Sequence, residues 1–350
     1  MNTFFVVYGA AWLAITAAFV LDYPWARWGM FAAANGSLWY LGLGTLISLE
    51  RAVALGRRWA YAAPLFSGLG ALTAMLGTPP DVAPSLSAAG SAVMLGASWI
   101  IYLRQRELFT LTLALGAACW TVGNLLWLGG RPVYAMVPWW IAFLVLTIAG
   151  ERLELSRFLP PSPAAKRVFA LLLAGVLLGV TASIIDWSAG TRVLGFALAG
   201  LALWLLRQDV ARRTVKSSGL TRFIAVCLLS GYVWLAVGGI MFPAAGGLGY
   251  AGAAYDAALH AVLLGFVFSM VFGHAPIIFP AVLRVAVPYH AYFYAPLALL
   301  HASLLVRLAG DWMLWPEWRA WGGLLNGVAL LAFVVGTVAA VIRGRLSAGN

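Results

Sequence analysis

Residues 259–283 read LHAVLLGFVFSMVFGHAPIIFPAVL, a stretch that contains no Asp, Glu, Lys or Arg. An apolar run of this length is enough to cross the hydrocarbon core of a bilayer as a helix, which takes about 20 residues. The stretch does not alternate between polar and apolar residues, so it does not fit a strand of a membrane β-barrel. It therefore predicts a transmembrane helix.

The rest of the chain has the same apolar character. Its 350 residues are 63% hydrophobic and 9% charged, whereas a soluble domain has about 25% charged residues. The predicted fold class is all-α, a polytopic membrane protein surrounded by the lipid bilayer. The net charge of +11 would favour a nucleic-acid partner in a soluble protein, but none is expected for a chain embedded in lipid.

Apolar runs separated by charged or Pro/Gly-rich connections predict about twelve transmembrane helices. Their extents are 2–21, 28–49, 59–77, 85–103, 107–128, 132–150, 167–185, 189–206, 221–243, 253–279, 289–309 and 320–342. No connection is long enough to fold as a soluble domain. Residues 1–350 are therefore expected to form a single integral membrane domain, with spans 1–6 in about 1–157 and spans 7–12 in about 166–345.

The distribution of Lys and Arg predicts the orientation of these spans. Under this division seventeen of the 22 basic residues fall on one side of the membrane and five on the other. Basic connections stay on the cytoplasmic side, so both termini are predicted to be cytoplasmic. The expected location is the inner (cytoplasmic) membrane of a bacterium, as a multi-pass protein.

All four histidines lie in the last quarter of the chain, on two neighbouring predicted spans: His260 and His274 on one, His290 and His301 on the next. An ionisable ring is costly inside a bilayer, so each one is a functional-site hypothesis. At 100° per residue the members of each pair share a helical stripe. The short connection makes the two spans antiparallel neighbours, which sets His274 level with His290 and His260 level with His301.

Imidazoles at matched levels are typical of a metal centre. Haem iron takes one or two neutral imidazoles, and copper(II) also accepts them. His260, His274, His290 and His301 are therefore all candidate ligands, with haem b as the expected cofactor and copper as the alternative.

Two charged side chains are expected to support this site. Arg307 is predicted to pair with Asp311 or to contact a haem propionate. Asp256 lies four residues before His260, on the same helical face, where its carboxylate is expected to accept a proton from a ligating ring. For Asp256 the alternative is a carboxylate at the outer interface of the membrane. For the histidines the alternative is that they only brace neighbouring helices.

The stretch at 259–283, followed by FYAPLALLHASLLVRLAGDW at 293–312, resembles the C-terminal part of the NnrS family. These are twelve-span bacterial membrane proteins linked to nitric oxide and nitrosative stress and described as containing haem and copper. The residues that match the family pattern, in order, are His260, Ala261, Gly265, Gly273, His274 and Arg307. The resemblance implies that His260 and His274 are cofactor ligands.

The chain resembles a divergent member of that family. It has no histidine before His260, and Gly-His-Ala-Pro-Ile stands where the family usually has Gly-His-Thr-Gly-Arg. No cofactor ligand is therefore expected in the N-terminal half.

The expected function is that of a membrane haem or copper protein in the nitric-oxide and nitrosative-stress response or related redox chemistry, with a small diatomic gas as a partner. Two other functions stay open. The histidines also suit a proton relay in a proton-coupled secondary transporter. In the third reading the chain anchors or helps to assemble a respiratory complex, and the histidines only brace helices. Whether the protein is an enzyme, and its oligomeric state, are left open by the sequence.

Overall fold

A computed structural model describes residues 28–75, 79–156, 161–283 and 287–348 of the chain. The structure is 87% helical, and none of the described residues is in a β-strand, so the all-α prediction is confirmed. In chain order the helices are α1 (Trp28–Leu55), α2 (Ala62–Met75), α3 (Val82–Arg104), α4 (Leu108–Leu128), α5 (Val133–Leu155), α6 (Pro163–Ile185), α7 (Trp187–Gln208), α8 (Gly219–Ala244), α9 (in three consecutive parts, Ala253–His260, Ala261–Phe268 and Ser269–Leu283), α10 (Tyr294–Trp312) and α11 (Pro316–Ala348).

The protein is a multi-pass membrane protein. Within the described ranges, nine helices (α3 to α11) are long and apolar enough to cross a membrane. Predicted spans 2 to 12 each overlap one of the helices α1 to α11, whereas the predicted first span, 2–21, lies outside the described residues. The count of twelve spans and the cytoplasmic termini stay predictions.

The chain divides into two compact units. Unit 1 consists of residues 1–97 and 281–284, and unit 2 of residues 98–280 and 285–350. All four histidines and Arg307 belong to unit 2. The single domain predicted for the whole chain stays a prediction.

In unit 1, α1, α2 and the first part of α3 pack through small side chains. Gly90 of α3 lies against the backbone of Ser67 in α2, so any larger side chain there would push the two helices apart. The buried Ser67 hydroxyl donates a hydrogen bond to the hydroxyl of Thr45 in α1, at 3.1 Å. Close approach through small residues, with hydroxyls joining helices, is the usual packing mode in membranes.

In unit 2, α5 is the most buried of the spans. The most apolar part of Val133–Leu155 is 83% buried inside the structure, as expected for a helix that is hydrophobic on all sides. Glycines again mark the helix crossings around it. Gly150 of α5 faces the Leu113 side chain of α4, and Gly179 of α6 lies against the backbone of Leu194 in α7.

The middle of α9 is not an ordinary α-helix. Residues Ala261–Phe268 form a π-helix, a rare and wider helical turn that is frequent at functional sites. Each residue of a π turn rotates the chain by less than 100°, so the single stripe predicted for His260 and His274 is corrected, and the two rings are rotated relative to that stripe. Gly265, inside the wide turn, leaves room for the indole ring of Trp234 from α8.

Candidate functional site

Five ionisable side chains meet around the first turn of α9: Asp256, His260, Arg307, Asp311 and Arg319. We call them the Asp256 cluster. Arg307 of α10 donates to Oδ2 of Asp256 through Nε (3.1 Å) and Nη2 (2.7 Å). Arg319 of α11 places its Nε 3.5 Å from the same oxygen. One carboxylate therefore joins three helices.

Two glycines bring these arginines into position. A Cβ added at Gly322 of α11 would lie 2.5 Å from the backbone nitrogen of Arg307, and Gly310 of α10 lies against the backbone of Arg319. The close crossing of α10 and α11 therefore depends on the missing side chains at both glycines. Both arginines are thereby held within reach of α9.

The structure pairs the charges differently from the sequence prediction. Asp311 contacts Arg319, with Oδ1 3.0 Å from Nε, and Arg307 is held by Asp256 instead of by Asp311. Asp311 is buried, and its contact is an ion pair and not an aligned hydrogen bond. The two guanidinium groups therefore face the carboxyl groups of Asp256 and Asp311, which avoids an unpaired buried charge, a strongly destabilising arrangement.

The contact between Asp256 and Arg307 can be compared with the predicted alignment of α9 and α10. The antiparallel prediction set His260 level with His301. Asp256 lies four residues before His260, and Arg307 lies six residues after His301. The observed contact therefore agrees with the predicted level to within about half a helical turn.

His260 has a defined proton position. Its Nδ1 lies 2.7 Å from the backbone carbonyl oxygen of Asp256, and a carbonyl oxygen can only accept, so Nδ1 donates. The Asp256 carboxylate is further away, with Oδ1 3.4 Å from the same nitrogen. The carbonyl, and not the predicted carboxylate, is therefore the main acceptor. In the neutral ring Nε2 carries a lone pair.

His274 repeats this arrangement fourteen residues later. Its Nδ1 donates to the backbone carbonyl of Met270 at 2.7 Å, and the ring is half-buried. The Met270 side chain packs against Gly231 of α8, so this methionine fills space between the two helices. His274 therefore also presents Nε2 as a lone-pair nitrogen.

His301 is engaged at both ring nitrogens. The indole N–H of Trp234 donates to Nδ1 at 2.9 Å, so Nδ1 is the acceptor and the proton of the neutral ring is on Nε2. Nε2 lies 3.0 Å from the hydroxyl oxygen of Ser230 and donates to it. Ser230 in turn donates to the backbone carbonyl of Val226 at 2.8 Å. His301 thus braces α10 against α8.

His290 lies outside the helices. It precedes the short 3₁₀ turn Ala291–Phe293, its side chain is exposed, and its ring centroid is 5.5 Å from that of Tyr292.

Among the described residues, no hydrogen bond or ring contact joins two of the four histidines. The part of the chain that the structure covers also contains no group of three His, Cys, Asp or Glu side chains arranged to hold a metal ion.

A second buried ion pair was missed by sequence reasoning. Arg152, in the last turn of α5, donates to Asp209 through Nε (2.7 Å) and Nη2 (2.9 Å). The hydroxyl of Tyr232 donates to Asp209 at 2.6 Å, and so does the backbone N–H of Ala211 at 2.7 Å. We call these groups the Arg152 clamp. They join α5 and α8 to the connection that follows α7.

The charge of the Asp209 carboxylate is stabilised by the clamp. Burial alone would raise the pKa of Asp209, but the hydrogen bonds and the positive charge of Arg152 outweigh burial and hold it below its ordinary value. The sequence did carry a signal for this pair. Asp209 is the only acidic residue between Arg207 and Arg222, in a connection that is otherwise basic.

A family model described as a domain of unknown function (DUF8744) matches residues 4–342. The match covers nearly the whole chain, so the protein belongs to this family. No curated protein and no solved structure matches the chain.

Proposed function

We propose that this member of the DUF8744 family is a membrane metalloprotein that binds haem b, or copper, through His260 and His274. Its role would lie in the nitric-oxide and nitrosative-stress response or in related redox chemistry, in the inner membrane of a bacterium. The proposal is supported by the geometry of these two rings and by the resemblance of residues 259–283 and 293–312 to the NnrS family.

The observation that carries the proposal is the shared hydrogen bond of the two rings. In each, Nδ1 donates to the carbonyl four residues earlier at 2.7 Å. Metal-ligating histidines almost always donate their second ring N–H to a carbonyl or carboxylate, which fixes the ring and its tautomer. The same bond leaves Nε2 as the nitrogen that would face the metal.

The donor set favours haem over a bare metal ion. Copper or zinc sites are built from several protein side chains, and within the described ranges no three suitable groups come together. Haem needs only one or two protein ligands. His260 and His274 are fourteen residues apart, with the π-helical part of α9 between them, so they would serve separate centres. Haem held by one imidazole would supply an open coordination position that accepts a small gas.

Arg307 receives a different role from the predicted contact with a propionate. Both of its donors to Asp256 are within 3.1 Å, so its guanidinium is already engaged. Asp256 is the residue whose backbone carbonyl accepts from His260. We therefore assign Arg307 to fixing the first turn of α9, which orients the His260 ring.

Visible absorption and metal analysis of the purified full-length protein test the proposal. The wild-type protein should show a Soret band and contain iron, and H260A and H274A should each lower the haem content. H301A is the matched control, since both nitrogens of that ring are used by the protein, and it should retain haem. A folded, colourless protein without iron or copper would refute the proposal.

One observation favours a second function, proton-coupled secondary transport. The Asp256 cluster places five ionisable side chains on three membrane-spanning helices, and such residues inside a bilayer commonly mark proton relays. Uptake into liposomes that depends on a pH gradient and is abolished by D256N would support this function. A protein that contains haem and shows no such uptake would exclude it.

A further inference from the structure

A cavity of about 340 Å³ opens between the start of α8 and the start of α10. It is lined by Ser218, Gly219, Arg222, Val226, Tyr289 and Tyr294. Its volume is at the lower end of the range for small-molecule sites, about 300–1,000 Å³, and is large for a single inorganic ion. None of the four histidines lines it, so the cavity is separate from the proposed metal site.

The cavity is positively charged. Arg222 is exposed, and none of the six lining residues is acidic. Three more exposed cations, Arg212, Arg213 and Lys216, precede it in the connection between α7 and α8. The one carboxylate of that connection, Asp209, is buried against Arg152 and does not offset them. A planar guanidinium in such surroundings is well matched to a phosphate group.

The cavity combines polar and apolar lining groups. Ser218, Tyr289 and Tyr294 supply hydroxyl groups beside Arg222, and Val226, one turn further along α8, supplies an apolar side chain. A free anion would not need an apolar lining residue, whereas a lipid presents a phosphate next to acyl chains. Under the predicted orientation of the spans, this face also carries most of the Lys and Arg of the chain, and basic pockets between membrane helices on such a face bind anionic headgroups.

We propose that this cavity binds the phosphate headgroup of an anionic membrane lipid, with Arg222 as the main charged contact. The test uses native mass spectrometry of the full-length protein in detergent. Phosphatidylglycerol, phosphatidylcholine and inorganic phosphate are added separately. Wild-type protein should retain phosphatidylglycerol in preference to phosphatidylcholine.

Two variants locate the binding. Arg222→Gln should weaken phosphatidylglycerol binding about ten-fold or more, the equivalent of one lost hydrogen bond to a charged group. Val226→Phe should also weaken it, because the larger ring would occupy part of the cavity that Val226 lines. Arg213→Gln is the matched control: it removes an exposed cation of the same connection that does not line the cavity, and it should weaken binding much less than R222Q.

Three outcomes would overturn the proposal. An equal loss in R213Q and R222Q would mean that binding follows general surface charge. Equal retention of the two lipids would mean that the headgroup charge is not recognised. Displacement of phosphatidylglycerol by an equimolar amount of inorganic phosphate would identify a site for the free anion instead of a lipid.

Discussion

The indole N–H of Trp234 lies 2.9 Å from Nδ1 of His301 and donates a hydrogen bond to it, joining α8 to α10. The same indole fills the space above Gly265 in the π-helical part of α9. Trp234 therefore connects three helices of unit 2. It also fixes the proton of the neutral His301 ring on Nε2, where Ser230 accepts it.

Replacing Trp234 by Phe keeps an aromatic ring but removes the donor to His301. W234F should lower the free energy of unfolding by about 0.6–2 kcal/mol, the range for hydrogen bonds between membrane helices. Unfolding in detergent micelles measures the change. Trp318→Phe, at an exposed indole, is the control and should have little effect. A W234F protein as stable as the wild type would show that the hydrogen bond from Trp234 to His301 does not stabilise the packing of α8 and α10.

The two carboxylates of the Asp256 cluster should differ in importance. Asp256 holds both arginines, whereas Asp311 contacts only Arg319 among the described arginines. D256N should therefore lower the stability by about 1.5–3 kcal/mol, the range for hydrogen bonds to a charged group, and D311N by less. Thermal unfolding of the two variants side by side tests the order, and a larger loss in D311N would contradict it.

Gly322 should be intolerant of even one added methyl group. A Cβ there would lie 2.5 Å from the Arg307 backbone, so G322A must separate α10 from α11, at a cost of about 1–3 kcal/mol for overpacking. Gly327, on the same helix, has no atom within 4 Å of an added Cβ. G327A should leave the melting temperature unchanged or slightly higher, and an equal loss in both variants would refute the close crossing.

The Arg152 clamp should make the protein sensitive to acid. The pKa of Asp209 is lower in the folded state than its ordinary value of 3.8. The clamp therefore contributes its full stability above the unfolded pKa and loses it as the pH falls through the lower folded value. D209N should remove this acid-dependent loss and lower the stability at pH 7 by about 3–5 kcal/mol, since it leaves Arg152 buried without its counter-charge.

Unfolding measured at pH 7 and at acid pH checks this prediction. Arg213→Gln, at an exposed cation in the same connection, is the control. It should change neither the stability at pH 7 nor its dependence on acid. A D209N protein with the wild-type acid response would show that other carboxylates control it.

The helices and the antiparallel pairing of α9 and α10 could be predicted from the sequence. Apolar length is a local property, and a short connection makes neighbouring spans antiparallel. The contact of Asp256 with Arg307 lies about half a turn from the level that this pairing predicts. The direction of each ring could not be predicted in this way. His301 faces α8 because Trp234 and Ser230 are there, and these residues are about seventy positions away in the chain.

Two other features depended on contacts that local patterns do not encode. The π-helical turn after His260 accommodates the Trp234 ring at Gly265. The 3.6-residue periodicity of an α-helix does not predict a turn that depends on packing against another helix. Arg152 is buried because Asp209, in the connection after α7, pairs with it, and Tyr232 of α8 donates a hydrogen bond to that carboxylate. The sequence around Arg152 is that of an ordinary charged helix end.

The haem content per chain, in the wild type and in the double variant H260A/H274A, tests the central claim most directly. The account predicts that the wild-type protein carries haem and shifts its Soret band when nitric oxide is added, and that the folded double variant carries none. A folded wild-type protein without haem, or a double variant that keeps the full wild-type content, would contradict it.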